Sequence, residues 1–226
     1  MTTLPEIAAR LADGDAVTKP SHYYDIYERL IREEGIVPLA ILEVGVYKGQ
    51  STKVLATRFP DARIAAVDVK RYDIDFSAHP NVEYLICDQT DAKGLQAICG
   101  RMFPQGIDIV IEDASHVGIF SKVTFEAVFP QVRSGGLYIV EDWGTGYWDD
   151  YFDGSRYQPY PLSPMIDGQP PKRLPSHDFG MVGFVKSLVD YVHESAIRRR
   201  QADPPTRRSR LKSLRFFEGV CAAAKA

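Results

Sequence analysis

Residues 39–51 read LAILEVGVYKGQS, and this order decides the fold. Leu39-Ala-Ile-Leu-Glu-Val44 is a short apolar run of strand length. Gly45-Val-Tyr-Lys-Gly49 supplies a turn, and Ser51 opens a helical stretch to about Phe59. The alternation repeats outward from there. Residues 63–68 read as a second strand and 82–87 as a third, followed by a helix over 91–102. Residues 107–112 form a fourth strand before a helix over 118–130, and 136–141 a fifth. Strands one, four and five are nearly all apolar, as in a parallel sheet covered by helices on both faces. The expected fold is therefore α/β, with a doubly wound and mostly parallel sheet. Upstream, helices over 4–12 and 22–34 make an N-terminal helical segment at 1–36, with Ser21 as cap and Gly35 as stop. Downstream, a helix over 181–196 carries Val182, Val185, Val189 and Val192 on one stripe, beside Met181, Phe184 and Leu188. Residues 211–217 and 220–224 flank Glu218-Gly219 and read as an antiparallel hairpin on the sheet edge.

The composition bounds the rest. The chain has 226 residues, 45% of them hydrophobic and 25% charged, and a net charge of −3. These values fit one folded domain over 1–226 and exclude a disordered, collagen-like or disulfide-scaffold chain. Near-neutral charge argues against a dedicated nucleic-acid binder. Cys87, Cys99 and Cys221 are odd in number and lack C-x-x-C spacing, so a reducing, cytoplasmic setting is expected. Residues 1–16 carry Glu6, Asp13 and Asp15 without a long apolar core and read as no signal peptide. No apolar run approaches the roughly 20 residues of a membrane span.

Periodicity fades over residues 143–180. These 38 residues hold 8 of the 25 aromatics and 6 of the 15 prolines. So long a loop is functional or disordered, and its aromatic load favours a substrate loop or lid. Residues 198–215 hold eight Arg/Lys against one Asp, with Pro204-Pro205 between them. The stretch could bind anions, but without interleaved aromatics it reads as a solvated linker.

Parallel sheets bind ligands at the carboxyl ends of their strands, which directs attention to five places. At 43–51, glycines would let the backbone approach a ligand, and the helix N-terminus would offer free N–H groups. The spacing is neither G-x-G-x-x-G nor a phosphate loop. Glu43 would repel phosphate but suit an ammonium or sulfonium. An ordinary strand-to-helix turn explains the same residues. Asp68 ends strand two and could accept from both hydroxyls of a ribose. With Glu43, Gly45 and Gly49 it favours a nucleoside site. Asp88-Gln89 ends strand three, either to meet a base and its amine or simply to form a turn. Glu112-Asp113 and Glu141-Asp142 end strands four and five, which should be neighbours. Carboxylates this close repel unless a cation lies between them, and hard oxygens select Mg²⁺, Mn²⁺ or Ca²⁺. His116 follows Asp113 by three residues, where imidazole could serve as a general base.

E-x-G-x-x-x-G, the acid after strand two and the C-terminal hairpin resemble class I S-adenosylmethionine-dependent methyltransferases. D-x-S-H at 113–116, G-G-L-Y-I-V-E-D at 135–142, T-x-Y-W at 145–148 and M-V-G-F-V-K-S-L-V-D at 181–190 more closely resemble the macrolide-sugar O-methyltransferases of macrocin and mycinamicin type. Enzymes that methylate mannosides for mycobacterial methylmannose polysaccharides look similar too. The resemblance runs from about residue 18 to the C-terminus.

It implies a Rossmann-like class I methyltransferase fold, S-adenosylmethionine as donor, and Mg²⁺ or Mn²⁺ as cofactor. It places the metal ligands on Asp113, Glu141 and Asp142, and the general base on His116. The donor would be bound by Glu43, Gly45, Val46, Gly49, Ser51, Asp68, Asp88 and Gln89. A further family motif, D-K-…-H-x-Y, is matched in part by Lys19, His22 and Tyr23 or Tyr24, with Thr18 in place of Asp. That adds Lys19 as a cofactor-binding candidate.

The expected reaction is metal-assisted methylation of a sugar hydroxyl on an oligosaccharide or glycoside, such as a mannoside, in polysaccharide or glycoside biosynthesis. The expected partners are that small-molecule sugar and a second copy of the chain in a homodimer, with no nucleic acid and no membrane. A catechol- or phenol-type metal-dependent O-methyltransferase would share fold, metal and donor. A nicotinamide oxidoreductase would call for G-x-G-x-x-G, which is absent, and would leave the two acidic dipeptides unexplained. A non-catalytic binding module is the remaining alternative, separated by S-adenosylhomocysteine titration with and without Mg²⁺.

Overall fold

The computed structural model describes residues 2–12, 19–158, 176–193 and 211–226. Two helices come first, α1 (Leu4–Leu11) and α2 (Ser21–Glu34). Then follow β1 (Ala40–Val44), α3 (Gln50–Arg58), β2 (Arg63–Asp68), β3 (Val82–Ile86), α4 (Ala92–Met102), β4 (Ile107–Glu112), α5 (Gly118–Val128) and β5 (Val132–Glu141). The last elements are α6 (Gly180–Ser187), α7 (Val189–Val192), β6 (Leu211–Phe216) and β7 (Val220–Lys225).

The seven strands form one sheet in the order β3-β2-β1-β4-β5-β7-β6. The first five are parallel, and β7 runs antiparallel to both β5 and β6. Successive strand residues point to opposite faces, which divides the core in two. Leu42, Val44, Val67 and Val110 pack with α4, α5 and α6 on one face. Ile41, Ile64, Ile109 and Ile139 pack with α1, α2 and α3 on the other. Because both faces are covered, every residue of β4 is buried. That explains its nearly unbroken apolar reading, and it confirms the doubly wound sheet with an antiparallel C-terminal pair.

The differences from expectation are local. Ser21 is the first residue of α2 rather than its cap; Pro20 takes the cap position, and Gly35 ends the helix at φ 66° as expected. The fifth strand begins at Val132, which pairs with Ile107; the register then shifts, and the ladder resumes at Leu137 opposite Ile109. The expected helix over 181–196 breaks at Leu188 into α6 and α7. Met181, Val182, Phe184, Val185 and Leu188 are buried, whereas Val189 and Val192 are exposed, so the apolar stripe ends at the break. Residues 194–196 of that helix lie outside the described residues, as do 159–175 of the expected lid and 198–210 of the basic stretch. Among the described residues, no helix is long and apolar enough to cross a membrane.

Strand order reverses between β1 and β4. Chain connections leave these neighbours in opposite directions, so a crevice opens at their carboxyl ends.

Candidate active site

That crevice is a cleft of about 710 Å³. Gly45, Val46 and Ser51 line it after β1, Asp68 after β2, Asp88 and Gln89 after β3, Asp113 and His116 after β4, and Glu141 and Asp142 at the end of β5. Lys19 and Tyr23 close it from the N-terminal side, and Tyr151 from the loop after β5.

Gly45 has φ 98°, and its N–H donates to the Val67 carbonyl at 2.8 Å. A Cβ there would overlap the Asp113 carbonyl and stand 2.8 Å from Ala114 Cα. The missing side chain thus lets the end of β4 cross beneath the turn. Gly49 caps α3 at φ 76°, and a Cβ on it would meet Ile74 at 2.7 Å. Glu43 and Gly49 stand behind the cleft wall rather than in it. Glu43 is fully buried and accepts from Thr52 Oγ1 at 2.5 Å. Burial pushes its carboxyl above the usual range, against the pull of Lys19 and the Ser51 and Thr52 hydroxyls.

Asp68 accepts from the backbone N–H groups of Val46 (2.8 Å), Tyr47 (3.0 Å) and Lys70 (3.0 Å). A carboxylate offers about four lone-pair sites, so roughly one remains for a ligand hydroxyl. Asp88 forms a turn on Thr90, accepting from its N–H and hydroxyl, both at 2.7 Å. Gln89 is spent inside the protein. Its amide donates to Glu112 Oε1 (3.1 Å) and Thr124 Oγ1 (3.2 Å), and its oxygen accepts from Ser115 N (3.0 Å). It braces the 113–116 segment instead of presenting its amide to a base.

Three described non-glycine residues have positive φ: Tyr47 (48°), His116 (54°) and Asp142 (50°). All three line the cleft. Such conformations cost of order 1–3 kcal/mol and persist where the surroundings impose them, often at functional sites.

Asp113, His116 and Asp142 offer ligand atoms within 4.8 Å of one another. His116 Nε2 lies 3.9 Å from Asp113 Oδ1 and 3.8 Å from Asp142 Oδ2. Two carboxylates and an imidazole, all partly exposed, are a donor set suited to a hard divalent cation. Glu141 stands outside this group. Successive strand residues alternate faces, and Glu141 is turned back to Lys19 Nζ (2.5 Å) and the Tyr27 hydroxyl, while the left-handed bend at Asp142 swings the next carboxylate toward His116.

The N-terminal side supplies what the strand pattern did not reveal. Lys19 Nζ is 3.1 Å from Asp113 Oδ2. Burial opposes its charge, but Asp113 and Glu141 outweigh burial and hold the ammonium well above the ordinary lysine range. Tyr23 donates to Asp142 Oδ1 at 2.5 Å. Burial, with this bond to a carboxylate, keeps the phenol protonated far above its usual pKa. Of the two candidate tyrosines, only Tyr23 lines the cleft; Tyr24 is buried in the core, and burial pushes it up to about 12. His22 is exposed beside the Tyr23 ring. Tyr27 was legible only as an i, i+4 neighbour of Tyr23 on one helix face.

Beyond β5, the turn Trp143–Tyr147 leads into a loop carrying Trp148 and Tyr151. The Tyr151 ring centroid lies 6.5 Å from that of His116 and 5.3 Å, edge-on, from Trp148. The aromatic side chain of Tyr151 therefore stands beside the imidazole, and Trp148 packs against that ring.

A family model described as FtsJ-like methyltransferase matches residues 22–142. The chain is 31% identical over 182 residues to mycinamicin VI 2''-O-methyltransferase of Micromonospora griseorubida, covering 74% of this chain and 44% of that protein. It is 32% identical over 171 residues to demethylmacrocin O-methyltransferase of Streptomyces fradiae, covering 73% and 38%. The chain thus spans less than half the length of the curated relatives it matches. Among solved structures it is similar to the MycE methyltransferase of the mycinamycin biosynthetic pathway in complex with Mg, SAH and mycinamycin VI. The TM-score is 0.72 at 25% identity, over 99% of this chain and 53% of that one.

Proposed function

The chain belongs to the FtsJ-like methyltransferase family, and on that premise we propose that it transfers a methyl group from S-adenosylmethionine to a hydroxyl of a sugar or glycoside, assisted by Mg²⁺ or Mn²⁺. The observation that carries this reading is the grouping of Asp113, His116 and Asp142 in one cleft with Asp68 and the Gly45 turn. Its support from outside the chain is that two relatives are named as O-methyltransferases and that the solved neighbour holds Mg, SAH and mycinamycin VI.

S-adenosylmethionine supplies a methyl already activated by its sulfonium, and a divalent cation lowers the pKa of a hydroxyl it binds. The chain's own residues do the rest. Asp113 and Asp142 would hold the cation. Lys19 and Tyr23 fix those two carboxylates from behind, and Glu141 anchors Lys19. His116 Nε2 takes the acceptor proton as the oxygen–methyl bond forms and the sulfur–methyl bond breaks, then releases it to water. The products are a methyl ether and an uncharged thioether. Tyr151, with Trp148 packed edge-on against it, walls the acceptor side, where aromatic faces stack on the apolar faces of pyranose rings. Alignment of acceptor oxygen, methyl and sulfur supplies much of the remaining rate.

The test is radiolabelled methyl transfer to a panel of glycosides, including partly methylated mannosides, with catechols run in parallel. Transfer to glycosides that stops in excess chelator and in His116→Ala is the expected result. Full activity in chelator or in that variant, or transfer to catechols alone, overturns the proposal.

A further inference from the structure

Asp153 takes no part in the chemistry above, yet it is 5% exposed and carries a carboxylate. Its Oδ2 accepts from Gly118 N at 2.8 Å and from Met181 N at 2.6 Å. These N–H groups belong to the first turns of α5 and α6, where helices have no internal acceptors. One side chain therefore caps two helices, and its negative charge sits at the positive ends of both dipoles. Neither helix is capped by its own flanking side chain, Val117 or Phe179. The fit admits nothing larger: a Cβ at Gly118 would overlap the Gly180 carbonyl, and one at Gly180 would stand 2.6 Å from Asp153 Oδ2.

This node lies between two parts of the cleft. Gly118 follows His116 by two residues, and His116 is held in the left-handed region. Tyr151 precedes Asp153 by two residues, and its ring lies tilted beside the imidazole, with centroids 6.5 Å apart. The other side of the 113–116 segment is already held by Gln89 on Ser115 N. Asp153 is the second grip, and it comes from the loop that carries Trp148 and Tyr151.

We propose that Asp153 is a positioning residue: by capping α5 and α6 together it fixes the His116 imidazole against Tyr151 and so sets the acceptor side of the cleft. The kinetic part of this inference rests on the methyl-transfer reading; the placement of His116 does not. The test compares the wild type with Asp153→Asn, which keeps an acceptor oxygen but loses the charge. Alanine would leave two buried donors unpartnered. Asp153→Thr, which retains a capping hydroxyl, serves if the asparagine variant does not fold. With histidine ring labelling, the chain's five histidines give few resonances, and His116→Ala identifies the one of interest.

The His116 resonance is expected to move in Asp153→Asn while those of His22 and His79 stay. The kcat per bound S-adenosylhomocysteine should fall about tenfold to a hundredfold, as misplacement near 1 Å does, with S-adenosylhomocysteine affinity unchanged by calorimetry. A variant with a lower melting temperature but an unmoved His116 resonance and unchanged kcat per binding site overturns the proposal, leaving Asp153 a cap alone. If the wild type transfers no methyl group, the function proposed above fails, and the resonance still decides the role of Asp153.

Discussion

Lys19 Nζ lies 3.1 Å from Asp113 Oδ2, and the lysine side chain is only 6% exposed. The same ammonium reaches Glu141 at 2.5 Å, so one buried cation ties the ends of β4 and β5 to the segment that leads into α2. Removing one partner of a buried pair leaves an uncompensated charge and costs about 3–5 kcal/mol. Lys19→Met should lose stability on that scale in urea denaturation with chelator present. Adding Glu141→Gln should restore part of the loss, because the more deeply buried of the two carboxylates that Lys19 pairs with is then gone. A Lys19→Met protein as stable as wild type would mean the pair contributes nothing.

Cation binding separates the roles of the three clustered side chains. If Asp113 and Asp142 are ligands and His116 is the base, Asp113→Asn and Asp142→Asn each weaken Mn²⁺ binding, whereas His116→Ala keeps it and loses about 10²–10⁴-fold in kcat. Paramagnetic resonance of free Mn²⁺ measures the affinities without turnover. Loss of Mn²⁺ affinity in His116→Ala would make the imidazole a ligand and remove it as a base.

At Gly45 the backbone geometry makes its own forecast. A φ of 98° and the overlap with the Asp113 carbonyl leave no room for a methyl group. The left-handed strain alone costs of order 1–3 kcal/mol, so Gly45→Ala should lower the melting temperature by at least several degrees. Because the same shift moves Val46 off Asp68, S-adenosylhomocysteine should bind more weakly by calorimetry. Alanine at Gly100, inside α4 where a Cβ meets nothing within 4 Å, is the control and should not lower stability.

The parallel strands were legible because both faces are buried, so hydrophobicity alone marks β1, β4 and β5. The strand ends were legible because acids there interrupt apolar runs. The partners of those acids were not. Lys19 and Tyr23 lie far from Asp113 and Asp142 in sequence, and nothing local in residues 19–27 says which face of α2 will meet β5. Asp88-Gln89 reads either as a contact to a base and its amine or as a turn, because a strand end places it at the cleft. The three hydrogen bonds of Gln89, to Glu112, Thr124 and Ser115, reach the end of β4, α5 and the segment between them, a convergence that no spacing encodes. The Gly45 turn reads as a close approach to a ligand; the group that makes a close approach in the structure is the protein's own backbone at Asp113. Asp153 sits in an aperiodic loop, where capping of distant helices leaves no periodic trace.

Glu112 gives the pH dependence of folding a definite sign. The side chain is 1% exposed, and its Oε1 accepts from Gln89 and Ser121. Burial pushes its carboxyl up to about 7, opposed by the Ser121 hydroxyl and reinforced by the Asp113 charge. In the unfolded chain the group has an ordinary pKa near 4.5. The folded state therefore holds the proton more tightly. Its contribution to stability is complete below pH 4.5 and is lost progressively as pH rises through 7. A shift of this size corresponds to roughly 3 kcal/mol across the window. Glu112→Gln mimics the protonated form, keeps an acceptor for Gln89 and Ser121, and removes this slope. Urea denaturation from pH 4.5 to 8 in chelator should therefore show the variant gaining on the wild type as pH rises. Parallel curves would mean that Glu112 is ionised at low cost, and that its buried partners are stronger donors than the geometry indicates.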